Sequence, residues 1–235
     1  MIEFAGVVVP ARDEEESIAA CLASVRRATD HAALGGIPVE VVVVLDRCQD
    51  GTGDLVAAGT EVVEVDAGNV GQARSAGMHR LLSRAEGLDP DRVWLATTDA
   101  DSRVPPDWLA AQLAWAGRGA EAVAGTVRVD DWSQQPPAAR QRFLAHQRAG
   151  GLTLGHDHVH GANLGLTAAA YLATGGVPEL PLAEDHALWE ALAMAGRRLV
   201  KADDITVVTS ARREARADGG FSSLLRRLSD DVAAQ

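Results

Sequence analysis

Val93-Trp-Leu-Ala-Thr-Thr-Asp-Ala-Asp-Ser102 is the stretch on which the reading of the fold turns. Val93–Thr98 is short, apolar and then abruptly polar, the pattern of a buried strand that delivers a loop. Three runs upstream repeat it. Phe4–Val9 is rich in valine and stops at Pro10, Val39–Leu45 opens into the polar loop Asp46–Gly53, and Glu61–Val65 ends at Asp66. Ser17–Val25 and Val70–Arg84 have helical spacing, and a short helix is expected between the second and third strands. Strands alternating with helices imply right-handed crossovers and a mainly parallel sheet, so the expected class is α/β. Ligands of such sheets bind beyond the carboxyl ends of the strands, where the loops converge. Pro10–Glu14, Asp46–Thr52 and Asp99–Asp101 all follow apolar strands, so three separate segments are expected along one edge.

Beyond Ser102 the pattern loosens. Asp107–Trp115 reads as a helix, Ala120–Val129 as a strand and Pro136–Arg148 as helical; His156–Leu166 reads as loop and strand, Ala183–Ala195 as a helix and Ile205–Val208 as a late strand. Phe221–Val232 reads as a terminal amphipathic helix whose Leu224, Leu225 and Leu228 pack onto the same domain or onto a partner, the first being preferred. Residues 1–235 are read as one domain, divided functionally near Ser102 into halves 1–102 and 103–235.

A chain of 235 residues can bury a substantial core, and 47% hydrophobic against 23% charged residues excludes a disordered protein. Lys and Arg number 22 against 33 Asp and Glu, a formal net charge of -11, which disfavours nucleic acid as a partner. Met1–Pro10 is too short and too soon interrupted by charge for a signal peptide, and no apolar run reaches membrane-spanning length. No integral membrane segment is therefore expected, and the cytoplasm is the expected location. Cys21 and Cys48 are spaced for neither a disulfide framework nor a zinc site, and both are read as reduced thiols.

Six motifs stand in order along the chain: Val7-Val-Val-Pro-Ala-Arg-Asp-Glu14, Asp46-Arg-Cys-Gln-Asp-Gly-Thr52, Gln72-Ala-Arg-Ser-Ala-Gly77, Thr98-Asp-Ala-Asp-Ser102, Gly161-Ala-Asn163 and Glu184-Asp185. Each alone is weak. Together they resemble the family-two glycosyltransferases over nearly the whole chain. That resemblance implies a GT-A fold with a Rossmann-like sheet, a nucleoside-diphosphate sugar donor, UDP- or GDP-linked, and a divalent cation, Mg2+ or Mn2+. It also implies a small or carrier-linked hydroxyl acceptor, with residues 1–102 serving the donor and 103–235 shaping the acceptor side.

A diphosphate leaving group concentrates negative charge, and a hard cation held by carboxylate oxygen offsets it as the glycosidic bond breaks. Asp101 is the expected metal contact; Asp99 faces ribose or sugar hydroxyls, or reaches the same cation through water. An isolated Asp-x-Asp would as readily serve a turn and a helix start, and only its place after the fourth strand favours the site. Pro10, Ala11 and Arg12 line the donor turn. Glu14 and Asp46 are the expected partners of base and ribose, although either could cap a helix. Arg12 and Arg74 are cationic partners for donor phosphates or acidic residues, and Arg74 serves equally well in a structural ion pair.

Asp185 is the expected general base, removing the acceptor's proton as its oxygen attacks the anomeric carbon from the face opposite the diphosphate. Glu184 orients the acceptor or tunes that base. A helix dipole alone also favours two acids in a first turn, and both roles can hold together. His156-Asp-His-Val-His160 suggests a metal site by alternation, but acceptor contact or loop structure is preferred, with His158 and His160 beside Gly161, Ala162 and Asn163 at the acceptor. Arg212 and Arg213 are phosphate-binding candidates or an exposed basic turn. Trp132 or Trp189 could form a sugar platform, though buried packing is the commoner use. The chain lacks the Gln-x-x-Arg-Trp motif of processive synthases, which points to transfer of a single sugar. Two further readings are a retaining GT-A transferase, in which Asp185 positions substrate, and a non-catalytic nucleotide-sugar-binding subunit.

Overall fold

In a computed structural model of the chain, which describes residues 1–149, 159–178, 180 and 183–212, all eight residues of strand β1, Phe4–Ala11, are buried. The unbroken apolar run follows from that burial, because side chains on both faces of a covered strand must be apolar. The other strands are β2 (Val39–Asp46), β3 (Glu61–Val65), β4 (Val93–Thr97), β5 (Ala122–Val129), β6 (Leu164–Thr167) and β7 (Leu199–Thr209). They form one sheet in the order β3-β2-β1-β4-β6-β5-β7. β1 pairs in parallel with β2 and β4, β2 with β3, and β5 with β7, whereas β6 runs antiparallel to both β4 and β5.

Alternate residues of the central strands serve two cores, one on each face. Val8, Val42, Val44 and Leu95 pack with Met78 and Leu81 of helix α2 (Val70–Arg84). Val7, Val9, Val43 and Trp94 pack on the other face with Ile18, Cys21 and Val25 of α1 (Ile18–Thr29) and Trp108 and Leu109 of α3 (Trp108–Gly117). The remaining helices are α4 (Pro137–Ala149), α5 (Ala168–Ala173) and α6 (Glu184–Met194). Helix α2 lies very close to the sheet: a Cβ added to Gly77 would come within 2.5 Å of Val8 Cγ1. Arg74 precedes Gly77 by three residues on the same helical face, so this close approach carries the arginine in under the strand ends.

The structure departs from the sequence expectations in three places. A 3-10 turn at Gly53–Leu55 stands where a short helix was expected between β2 and β3. Helix α5, capped by the Thr167 hydroxyl on the Ala170 N–H at 3.1 Å, is only six residues long, too short to show a helical period. Strand β7 begins at Leu199, ahead of the expected Ile205, because a register shift opposite Gly125/Thr126 lets Asp203 and Asp204 turn to solvent without ending the pairing. No described helix is long and apolar enough to cross a membrane. Trp189 packs half-buried against the first core, and Trp132 lies tilted at 50° to Phe143 with ring centroids 5.5 Å apart. The expected helix Phe221–Val232 lies outside the described residues.

Candidate active site

Because β1, β2 and β4 are parallel neighbours, the loops leaving them emerge at one edge and are stitched together. The Glu14 N–H donates to Thr52 Oγ1 at 2.6 Å, Gln49 N–H to Asp13 Oδ1 at 2.7 Å and Gly51 N–H to Glu15 Oε2 at 3.0 Å. Asp46 ends β2, and its buried carboxylate accepts the N–H groups of Ala67, Gly68 and Asn69 at 2.9, 2.8 and 3.0 Å. Asp46 thereby shapes the turn into α2, whose first N–H groups are capped by Asn69. Among the described residues, the non-glycine residues with positive φ are Asp13 (52°), Arg47 (56°) and Ala183 (57°), all in loops at this edge or at the start of α6. Such backbone costs roughly 1–2 kcal/mol per residue and gathers where geometry is held for function.

Two charge clusters fill the edge. In the first, the Arg212 guanidinium bridges Glu14 Oε1, 2.6 Å from Nη1, and Asp101 Oδ2, 3.3 Å from Nη2. Burial pushes the Asp101 carboxyl up to about 6; Arg212 pulls it down, and the charges of Asp99 and Glu14 add to the rise. The Ser17 hydroxyl donates to Glu14 Oε2 at 2.5 Å. In the second cluster, Arg74 pairs with Asp99 at 2.5 Å and with Glu184. Asp185, the second residue of α6, accepts the Gly161 N–H at 2.8 Å on Oδ2 and the His186 N–H at 2.8 Å on Oδ1. Burial raises the Glu184 carboxyl, Arg74 opposes that rise, and Asp185 adds to it.

The expected donor residues are thus brought to one edge: Pro10 and Ala11 close β1, and Arg12, Glu14, Asp46, Arg74, Asp99 and Asp101 surround its end. Arg12 is half-buried and makes no hydrogen bond or ion pair among the described residues. His156, His158 and Arg213 lie outside those residues. Gly161 and Ala162 are buried, and His160 accepts the Asn163 N–H on its carbonyl at 2.9 Å.

The Asn163 side chain sits in the core and not at a surface open to an acceptor. It is fully buried; its amide donates to the Thr126 and Ile205 carbonyls at 2.8 and 3.0 Å and accepts the Trp108 indole N–H at 2.9 Å. Asn163→Ala strands three buried polar groups and is expected to cost about 3 kcal/mol, read as a lower urea midpoint. Unchanged stability with a raised acceptor KM would return Asn163 to the acceptor pocket.

The residues present fit a divalent cation. Asp101 is a desolvated carboxylate among acids, offset among the described residues by the Arg212 fork and by the Ser102 hydroxyl at 3.4 Å. No group of three metal-ligating side chains converges among the described residues. A magnesium-like ion suits such a place, since it commonly takes one or two carboxylates and completes its shell with phosphate oxygen and water.

Sequence reasoning missed Thr52, which ties the first loop to the second, and Ser102, whose hydroxyl meets Thr209 Oγ1 at 3.0 Å and joins the acidic loop to β7. It also missed Ala183, whose left-handed backbone sets the entry to α6. A Ser directly after the acidic pair was the one local signal available. Cys21 and Cys48 are both free; the Cys21 thiol donates to the Asp99 carbonyl at 3.3 Å and is pushed up by burial.

Solved structures share this architecture. Staphylococcus aureus TarS residues 1–349 with UDP-GlcNAc superimposes with a TM-score of 0.64 at 17% identity, covering 97% of this chain and 66% of that one. The mannosyltransferase PcManGT from Pyrobaculum calidifontis, with GDP-Man and Mn2+, gives 0.65 at 21% identity over 92% of this chain and 59% of that one. Glucosyl-3-phosphoglycerate synthase from Mycobacterium tuberculosis, with Mn2+, UDP and glucosyl-3-phosphoglycerate, gives 0.55 at 20% identity over 99% and 78%. This chain therefore spans less than two thirds of the TarS fragment and of the mannosyltransferase. No curated protein sequence matched. The mixed sheet with an acidic loop at its carboxyl edge defines a GT-A fold. Residues 6–168 match the family described as glycosyl transferase family 2, and the chain belongs to that family. The matched segment ends before Glu184 and Asp185, so their place beside the acidic loop is read from the tertiary structure.

Proposed function

We propose that the protein transfers one hexose from a UDP- or GDP-linked sugar to a hydroxyl of a small or carrier-linked acceptor, with inversion. The observation that supports this most directly is the place of Asp101 at the edge where three loops meet, its side chain 14% exposed and its carboxyl pushed up to about 6 by burial first and by the charges of Asp99 and Glu14 after it. Asp101 would hold Mg2+ or Mn2+, which when bound supplies charge stabilisation to the leaving diphosphate. Glu14 and Arg12, with Pro10 and Ala11, receive the nucleotide, and Asp46 keeps the adjoining turn in shape. Arg212 would bind the diphosphate through its guanidinium fork, with Arg213 as a second candidate there. Asp185 takes the acceptor proton. Its two N–H bonds come from different segments and fix the carboxylate's orientation while leaving each oxygen a further lone pair. Gly161 and Ala162, with His158 and His160, border the acceptor.

The test is calorimetric titration of UDP and GDP with and without Mn2+. Metal-dependent binding of one nucleotide, lost in Asp101→Ala, is the expected result. Failure of both nucleotides to bind under any metal condition overturns the reading. NMR of the product's anomeric configuration tests inversion.

A further inference from the structure

We propose that Arg74 is a positioning residue that holds the Glu184-Asp185 pair against the Asp99-x-Asp101 loop and makes no contact with the donor diphosphate; this rests on the transferase reading above. Three segments distant in sequence meet on this one guanidinium. Nη2 pairs with Asp99 at 2.5 Å, Nη1 pairs with Glu184 at the start of α6, and the backbone of Gly161 covers the group so closely that any Cβ there would collide with it. Gly161 in turn donates its N–H to Asp185. Among the described residues, Arg74 and the glycine lying on it thus join the acidic loop to the base carboxylate.

The side chain is only 7% exposed, so an incoming diphosphate has little of it to reach. Its charge is already matched by two paired carboxylates, with the Asp185 charge close behind them. Removing a buried cation leaves those carboxylates uncompensated, and they are expected to move apart. Arginine suits the task where lysine does not, because a planar fork can grip two carboxylates from different loops while an ammonium offers one point of charge. Helix α2 brings it there: an Asn69 cap begins the helix, Gly77 presses it onto β1 and β2, and a Cβ on Gly71 would lie 3.1 Å from Glu184 Cγ.

The experiment compares wild type, Arg74→Lys and Gly161→Ala with Mn2+ and the donor identified by titration. It measures kcat, donor Kd, binding stoichiometry and Tm. Misplacing reacting groups by about 1 Å costs about 100-fold in rate. Both variants are expected to lose about 100-fold in kcat per donor-binding site while donor Kd stays within about threefold. Gly161→Ala carries the test if Arg74→Lys does not fold, since it displaces the guanidinium without removing its charge. A rise in donor Kd comparable to that of Asp101→Ala makes Arg74 a donor ligand and overturns the proposal. A kcat loss that only mirrors lost binding stoichiometry, or an unaffected kcat in Gly161→Ala, overturns it as well. Absence of transfer by wild type overturns the transferase reading itself, which separates that failure from one confined to Arg74.

Discussion

Asp185→Asn is expected to lower kcat by about 1,000-fold and to leave the donor dissociation constant within about threefold. A positioned general base contributes roughly 100- to 10,000-fold, because an acceptor hydroxyl is a poor nucleophile until its proton departs in the transition state. The amide keeps the volume of the carboxylate but not its acceptors. Asp185 takes one N–H on each oxygen, from Gly161 and His186, whereas asparagine has one carbonyl oxygen and would set its own N–H group against one of those donors. The effect should fall on the chemical step, since the Asp185 carboxylate is bound by Gly161 and His186, whereas Glu14 and Asp101 share the Arg212 guanidinium. Single-turnover measurement of nucleotide release, with and without acceptor, checks it. Full activity in Asp185→Asn places the base elsewhere; donor binding lost together with kcat would instead make Asp185 part of the donor site.

The second large effect is expected at Asp101. Asp101→Asn should weaken Mn2+-dependent nucleotide binding by 100-fold or more, and at the same time raise the stability of the metal-free protein at pH 7.5. The sign follows from burial. The folded-state value, about 6, lies above the ordinary 3.8, so the folded protein binds this proton more tightly than the unfolded chain does. The ionised group therefore carries a penalty that is absent below about pH 4 and complete above about pH 6. A difference of that size corresponds to about 3 kcal/mol. The neutral amide removes the penalty, and Arg212 keeps its 2.6 Å contact with Glu14. Urea unfolding from pH 4 to 8 checks the first part: the wild-type advantage at low pH should vanish in the variant. Added Mn2+ should restore wild-type stability near neutral pH and leave the variant unmoved. Because the cation competes with a proton at Asp101, metal-dependent binding should weaken as pH falls through about 6. A variant less stable than wild type at every pH would show that Asp101 serves the fold and not a cation.

Both effects depend on features of different legibility. The alternation of apolar runs with helical spacing is a local property, written in neighbours one to four residues apart, and from it β1, β2, β3, β4 and the bounds of α2 could be read in sequence with their polar ends on one edge. The acidic pair after β4 and the acidic start of α6 were legible for the same reason. The partners of those acids were not. Arg74 meets Glu184 across 110 positions and Arg212 meets Glu14 across 198, and no period relates residues so far apart. Asn163 is expected at the acceptor because Gly161-Ala-Asn163 resembles the family's acceptor-side turn; only the crossing of α3, β5 and β7 around it turns its amide into a core bond. Ala183 carries no mark in the sequence of its left-handed backbone. The succession of strands and helices and the placement of acids at strand ends came from the sequence, because burial is enforced residue by residue; the order of the strands in the sheet did not. Which charge neutralises which was decided by the tertiary structure, because a buried carboxylate takes whatever cation the folded loops bring to it.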